Sequence, residues 1–63
     1  MQMQKYLEDA YILGQRDVDE EYDDYDVVMI VTGRKIHDLE DDELAQDICR
    51  AFMKGRESGS MDQ

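Results

Sequence analysis

The chain has 63 residues and a formal net charge of −10, from seventeen acids against seven bases, with one cysteine and one histidine. Such a length allows one domain and leaves a monomer marginally stable, while Cys49 and His37 alone cannot build a disulfide frame or a zinc site within one chain. Self-association is the remaining remedy, and the charge disfavours direct binding to nucleic acid or anionic lipid.

The N-terminus, Met1-Gln2-Met3-Gln4-Lys5, runs into Glu8 and Asp9 with no apolar stretch behind it and does not read as a signal peptide. Apolar groups at Met3, Tyr6, Leu7, Ala10 and Leu13 recur on one helical face and predict a helix over 3–13, with Gly14 placed to end it. Tyr11 and Ile12 fall outside that stripe, so the apolar surface is broader than one neighbour covers.

From Asp17 to Asp26 the chain carries seven carboxylates, a density that self-repels and suits a mobile acidic connection. The other reading makes Asp17 to Glu21 the acidic first turn of a helix running to Thr32 and closed by Gly33. Val27-Val28-Met29-Ile30-Val31-Thr32 is β-branched and uniformly apolar, which suits a short buried strand ahead of a buried helix segment, and the run is short enough to admit both. A strand there needs a partner, either from the N-terminal region or from a second subunit. At five residues, Val27 to Val31 is also the longest apolar run, far below the roughly 20 needed to span a membrane.

Thr32-Gly33-Arg34-Lys35 reads as a turn with two solvated cations, too short for a phosphate loop. Leu39-Glu40-Asp41-Asp42-Glu43-Leu44 has the staple and acidic first turn of a helix start, and Leu44, Ile48, Ala51 and Phe52 continue as a stripe. Arg50, Lys54 and Arg56 favour the negative end, so a helix is predicted over 40–54, closed by Gly55, with a surface pair between Asp47 and Arg50. Residues 56–63 are polar and aperiodic and read as a flexible tail, leaving 1–55 as one small helical oligomerisation domain. The expected fold is mainly α and oligomeric: two helices joined by the acidic connection and the ambiguous segment at 27–32.

No catalytic, cofactor-binding or metal site is expected. Asp17, Asp19 and Glu21 alternate as in a calcium loop, but Tyr22 stands where that loop needs glycine and Val28 where it needs the closing glutamate. His37 has no nucleophile near it in the expected scaffold, and Cys49 sits beside the Leu44 and Ile48 stripe with only Arg50 as a positive neighbour, the setting of a packed thiol. Contact residues are therefore sought in two places. The oligomer or partner face is assigned to Leu7, Val28, Ile30, Leu44, Ile48 and Phe52; an acidic partner surface is assigned to Asp19, Glu20, Glu21, Tyr22, Asp23, Asp24, Tyr25 and Asp26, where tyrosines set among acids favour contact over plain solvation.

These features suit a non-enzymatic, cytoplasmic regulatory protein that binds itself and a basic protein surface; a lone cysteine in a chain this short fits a reducing compartment. The alternative is a DNA mimic whose carboxylates at Asp17 to Asp26 and Asp38 to Glu43 occupy a nucleic-acid-binding cleft. The segments Met-Gln-Met-Gln-Lys-Tyr-Leu-Glu-Asp-Ala and Leu-Glu-Asp-Asp-Glu-Leu-Ala-Gln-Asp-Ile, in a short acidic chain without proline or tryptophan, resemble the small accessory proteins of lambdoid phages encoded between the exonuclease and excisionase genes. The resemblance covers the whole chain in length and character. It implies an oligomeric helical protein, made early in phage development in the bacterial cytoplasm, that influences prophage induction and the choice between lysis and lysogeny without catalytic residues. The β-branched run at Val27 to Val31 departs from an all-helical picture.

Overall fold

The computed structural model describes residues 2–61, with side chains described for residues 4–59. Three α-helices follow one another: α1 (Gln2–Arg16), α2 (Asp24–Thr32) and α3 (Asp42–Met61), with a single 3-10 turn at Ile36–Asp38 between the last two. No strand occurs among the described residues.

The first departure from the sequence expectation is at the glycines. Helix α1 does not stop at Gly14 but continues to Arg16, and α3 passes through Gly55 and Gly59 to Met61 rather than closing near residue 54. Most of the expected tail is thus helical, and only residues 62–63 of it lie outside the described part. The reason is the contact between the two helices. A Cβ on Gly55 would fall on the backbone carbonyl of Tyr11; one on Gly14 would meet the Phe52 carbonyl and lie 2.8 Å from the Arg56 nitrogen; one on Gly59 would lie 2.9 Å from the Gln15 carbonyl oxygen. Ala10 and Gly14 are one turn apart on α1, as are Ala51, Gly55 and Gly59 on α3, so each helix presents a row of small residues along a single face. That spacing lets two helix backbones approach closely, a device best known from helices in membranes. Because partners rise together along both chains, Tyr11 with Gly55 and Gln15 with Gly59, the helices run parallel. Two hydrogen bonds hold the upper end of this seam: the Gln15 amide donates to the Ser58 hydroxyl at 3.2 Å, and the Arg56 guanidinium donates to the Val18 carbonyl at 3.3 Å.

Helix α2 covers one side of the pair. The core consists of Ala10 from α1, Val27 and Val28 from α2, and Ala45, Ile48 and Phe52 from α3. Of the larger side chains, Ile48, Val27 and Val28 are essentially fully enclosed, each contributing about 1.5–3 kcal/mol by burial. The 27–32 segment is helical, which corrects the expectation of a strand. Val27 and Val28 are adjacent and both buried, Val31 is half-buried, and Met29 and Ile30 point outward. A half-buried strand would alternate sides, whereas inward positions at i, i+1 and i+4 belong to a helix. With no second strand among the described residues to pair with, the helix satisfies its backbone internally.

Local chemistry fixes both ends of α2. Asp23 caps the start, Asp24 and Asp26 occupy the first turn, and the Asp26 carboxylate accepts from the Asp23 backbone N–H at 3.4 Å. At the other end Gly33 adopts φ 76° and its N–H donates to the Met29 carbonyl at 2.8 Å. The Thr32 hydroxyl donates to the Val28 carbonyl at 2.7 Å and accepts from the Arg34 N–H at 3.1 Å. The acidic run is therefore divided: residues 17–23 form the connection, with a turn at 17–19, and Asp24 to Asp26 open the helix. In α3 the cap is Asp41, whose carboxylate accepts from the Glu43 N–H at 2.9 Å, two residues later than the sequence suggested.

The seam and the α2 cap make opposite demands on their glycines. An exposed helical glycine changed to alanine gains about 1 kcal/mol in stability, but Gly55→Ala must push backbone against backbone and is expected to lose about 1–3 kcal/mol, read as a lower denaturant midpoint. A more stable variant would show that the helices do not meet as described. Gly33→Ala meets no atom within 4 Å and is expected to lose about 1–2 kcal/mol from its left-handed backbone alone, with helix content otherwise kept on circular dichroism.

Candidate protein-contact surfaces

The two groups of residues singled out in the sequence are divided differently by the fold. Val28, Ile48 and Phe52 lie inside the chain's own core and are unavailable to a partner. This corrects their assignment to an outward face: a helical stripe does not reveal whether its cover comes from the same chain. Leu7 and Leu44 are half-buried, and Ile30 is 51% exposed.

Tyr22 and Tyr25 also separate. Tyr22 folds back, its ring 6.0 Å from that of Phe52 at a 58° tilt, and its hydroxyl donates to the Asp17 carboxylate at 3.3 Å. Partial burial, and then the charge of Asp17, push its phenol above the ordinary value. Tyr25 stands outward, 56% exposed, with its ring 5.6 Å from that of His37. Met29, one turn further on, is 45% exposed, so Tyr25, Met29 and Ile30 form an apolar outer arc on α2 with Asp26 among them.

An acidic segment leads into this arc. Asp19, Glu20, Glu21, Asp23, Asp24 and Asp26 are exposed at the start of α2. The His37–Tyr25 ring contact brings the 3-10 turn to the same end, while Asp24 faces α3, lining a pocket of about 290 Å³ with Ile36, Ala45, Cys49 and Arg50. Among the described residues the ion pair within 4.0 Å is Arg50 to Asp47 at 3.9 Å, so none of these carboxylates is in a close ion pair there. An apolar arc with a tyrosine and an adaptable methionine, bordered by exposed carboxylates, can bury its centre against a protein while pairing its rim with lysine or arginine.

The second surface lies on the other side of the α1–α3 pair from α2. A groove of about 360 Å³ runs between the helices, lined by Leu7, Tyr11, Ile12 and Ala51, with Gln4, Glu8 and Lys54 at its edges. The breadth of the α1 apolar surface was visible in the sequence, since Tyr11 and Ile12 lie off the core stripe; that α3 completes a groove with them was not.

Cys49 is half-buried beside Asp24 and Arg50. Burial first, and then the Asp24 carboxylate, push its thiol from 9.0 up to about 11, so the thiolate is scarce near neutrality. Among the described residues no group of three or more His, Cys, Asp or Glu side chains is arranged to hold a metal ion, and no helix is long and apolar enough to cross a membrane. No protein-family model, curated protein or solved structure matches the chain.

The thiol gives a direct test of this local electrostatics. The pH profile of its alkylation should have its midpoint near 11 in the folded protein, move toward 9.0 in denaturant, and shift down in Asp24→Asn. The sign for stability follows: the fold holds the proton more tightly than the unfolded chain, so this contribution is complete below pH 9.0 and is lost as pH rises toward 11. A folded-state midpoint at or below that of the denatured chain would contradict the arrangement.

Proposed function

We propose that this chain is a non-enzymatic, self-associating acidic regulatory protein that acts by docking the outer face of α2 on a basic surface of another protein. The observation that carries this reading is the exposed Tyr25, Met29 and Ile30 arc, with the exposed acids of residues 19–26 leading into it. An apolar centre in a charged rim is how protein contacts combine affinity with selectivity, and the net charge of −10 speeds encounter with a cationic partner. The partner is a protein of the bacterial cytoplasm, of host or phage origin, and the process is lytic development or prophage induction; this part of the proposal draws on the resemblance to lambdoid accessory proteins. The chain acts there without cofactor or metal.

The test compares partners captured from bacterial lysate by the wild-type chain with those captured by Tyr25→Ser/Met29→Ser/Ile30→Ser, whose changes lie on the surface and should leave the helical signal intact. A basic protein retained by the wild type should bind the triple variant at least about tenfold more weakly when both are purified and titrated. If the captured protein instead binds both equally, is displaced by duplex DNA, and is lost steeply with added salt, the carboxylates act as phosphate mimics and the apolar arc has no part in binding.

A further inference from the structure

We infer that the groove between α1 and α3 is the face through which two copies of this chain join, around a two-fold axis running along the groove so that α1 of each lies on α3 of the other. This gives a location to the self-association in the proposed function and rests on that part of it alone.

Two observations lead there. The groove is apolar at its floor and open, with Tyr11 37% and Ile12 48% exposed along its α1 wall, and it is turned away from α2. Its charge is also unlike that of the rest of the molecule. The charged residues bordering it and the adjoining hollow are Glu8, Asp47, Arg50 and Lys54, two of each sign, on a chain whose net charge is −10. A second copy approaching any net-acidic face meets its own charge; over this one it does not.

The parallel seam selects the axis. Tyr11 lies opposite Gly55, so Glu8 on the α1 wall and Lys54 on the α3 wall stand at nearly the same height, about two residues or 3 Å apart along the helices. Rotation about an axis along the groove exchanges the walls and keeps the heights, bringing Glu8 of each copy to Lys54 of the other. An axis across the groove would set α1 on α1 and leave both lysines without that partner. The closed two-fold also makes one interface and stops there, as a soluble protein requires.

Sedimentation equilibrium over a concentration series should give twice the 7.4 kDa chain mass for the wild type. Ile12→Glu, an exposed change, should give the single-chain mass with helix content retained. Glu8→Lys and Lys54→Glu should each weaken the dimer by about tenfold, through like charges at two symmetric positions, and the double swap should restore it. The triple variant of the α2 arc should dimerise as the wild type does, which keeps this test separate from that of partner docking. A wild type that remains a single chain at millimolar concentration overturns the inference, and so does a dimer indifferent to Ile12→Glu or one whose single charge swaps are not rescued by the double.

Discussion

The close approach of α1 to α3 is the constraint from which the other features follow. Three glycines inside helices, Gly14, Gly55 and Gly59, each forgo about 1 kcal/mol of helix propensity relative to alanine. Their cost is offset because backbone meets backbone along the seam, adding dispersion contacts that a chain of 63 residues cannot obtain from side-chain volume alone. The tight seam also decides what α2 must do. With α1 and α3 nearly touching, little room is left between them for large side chains, so Ile48 and Phe52 of α3 need cover from the side. Val27 and Val28 of α2 supply it.

Charge is distributed to suit that arrangement. The carboxylates gather where the chain turns and where helices begin, at Asp23 to Asp26 and Asp41 to Glu43, positions at which they cap free N–H groups and favour the positive end of the helix dipole. None of the described buried residues is polar, so the core carries no unpaired group and the charge is carried almost wholly on the outside. The close ion pair among the described residues, Arg50 with Asp47, is exposed on the arginine side and contributes at most a few tenths of a kcal/mol. Folding is thus driven by the seam and a small apolar core, while most of the acidic surface stays exposed.

What could be read in the sequence was the existence of the two long helices, because apolar periodicity is a local property: Leu7 and Ala10 in one, Leu44, Ile48 and Phe52 in the other. Their ends could not be read. Gly14 and Gly55 have the local chemistry of stop signals, and only the neighbouring helix, far away in the chain, turns them into points of contact. The segment from Val27 to Thr32 failed for a different reason. Apolar residues throughout leave no period to read, and β-branching then favours the wrong element; the better guide was the glycine stop at Gly33, which the helix reading used, although that reading set the acidic first turn at Asp17 to Glu21 and the helix opens at Asp24. At the candidate surfaces, residue type marked Tyr22 and Tyr25 equally, and tertiary packing alone drew Tyr22 in against Phe52 and left Tyr25 outside.

The seam has a consequence for how this protein can change over generations. A glycine codon is one base from codons for alanine, serine, valine, arginine, cysteine, aspartate, glutamate or tryptophan, and every one of those adds atoms where the two helices leave none. Positions 14, 55 and 59 therefore have no conservative intermediate through which to drift, while exposed acids outside the helix caps can exchange aspartate for glutamate. Related chains should keep those three glycines long after the surface around them has become unrecognisable, so the row of missing side chains, rather than the abundant charge, is the feature by which distant kin could be found.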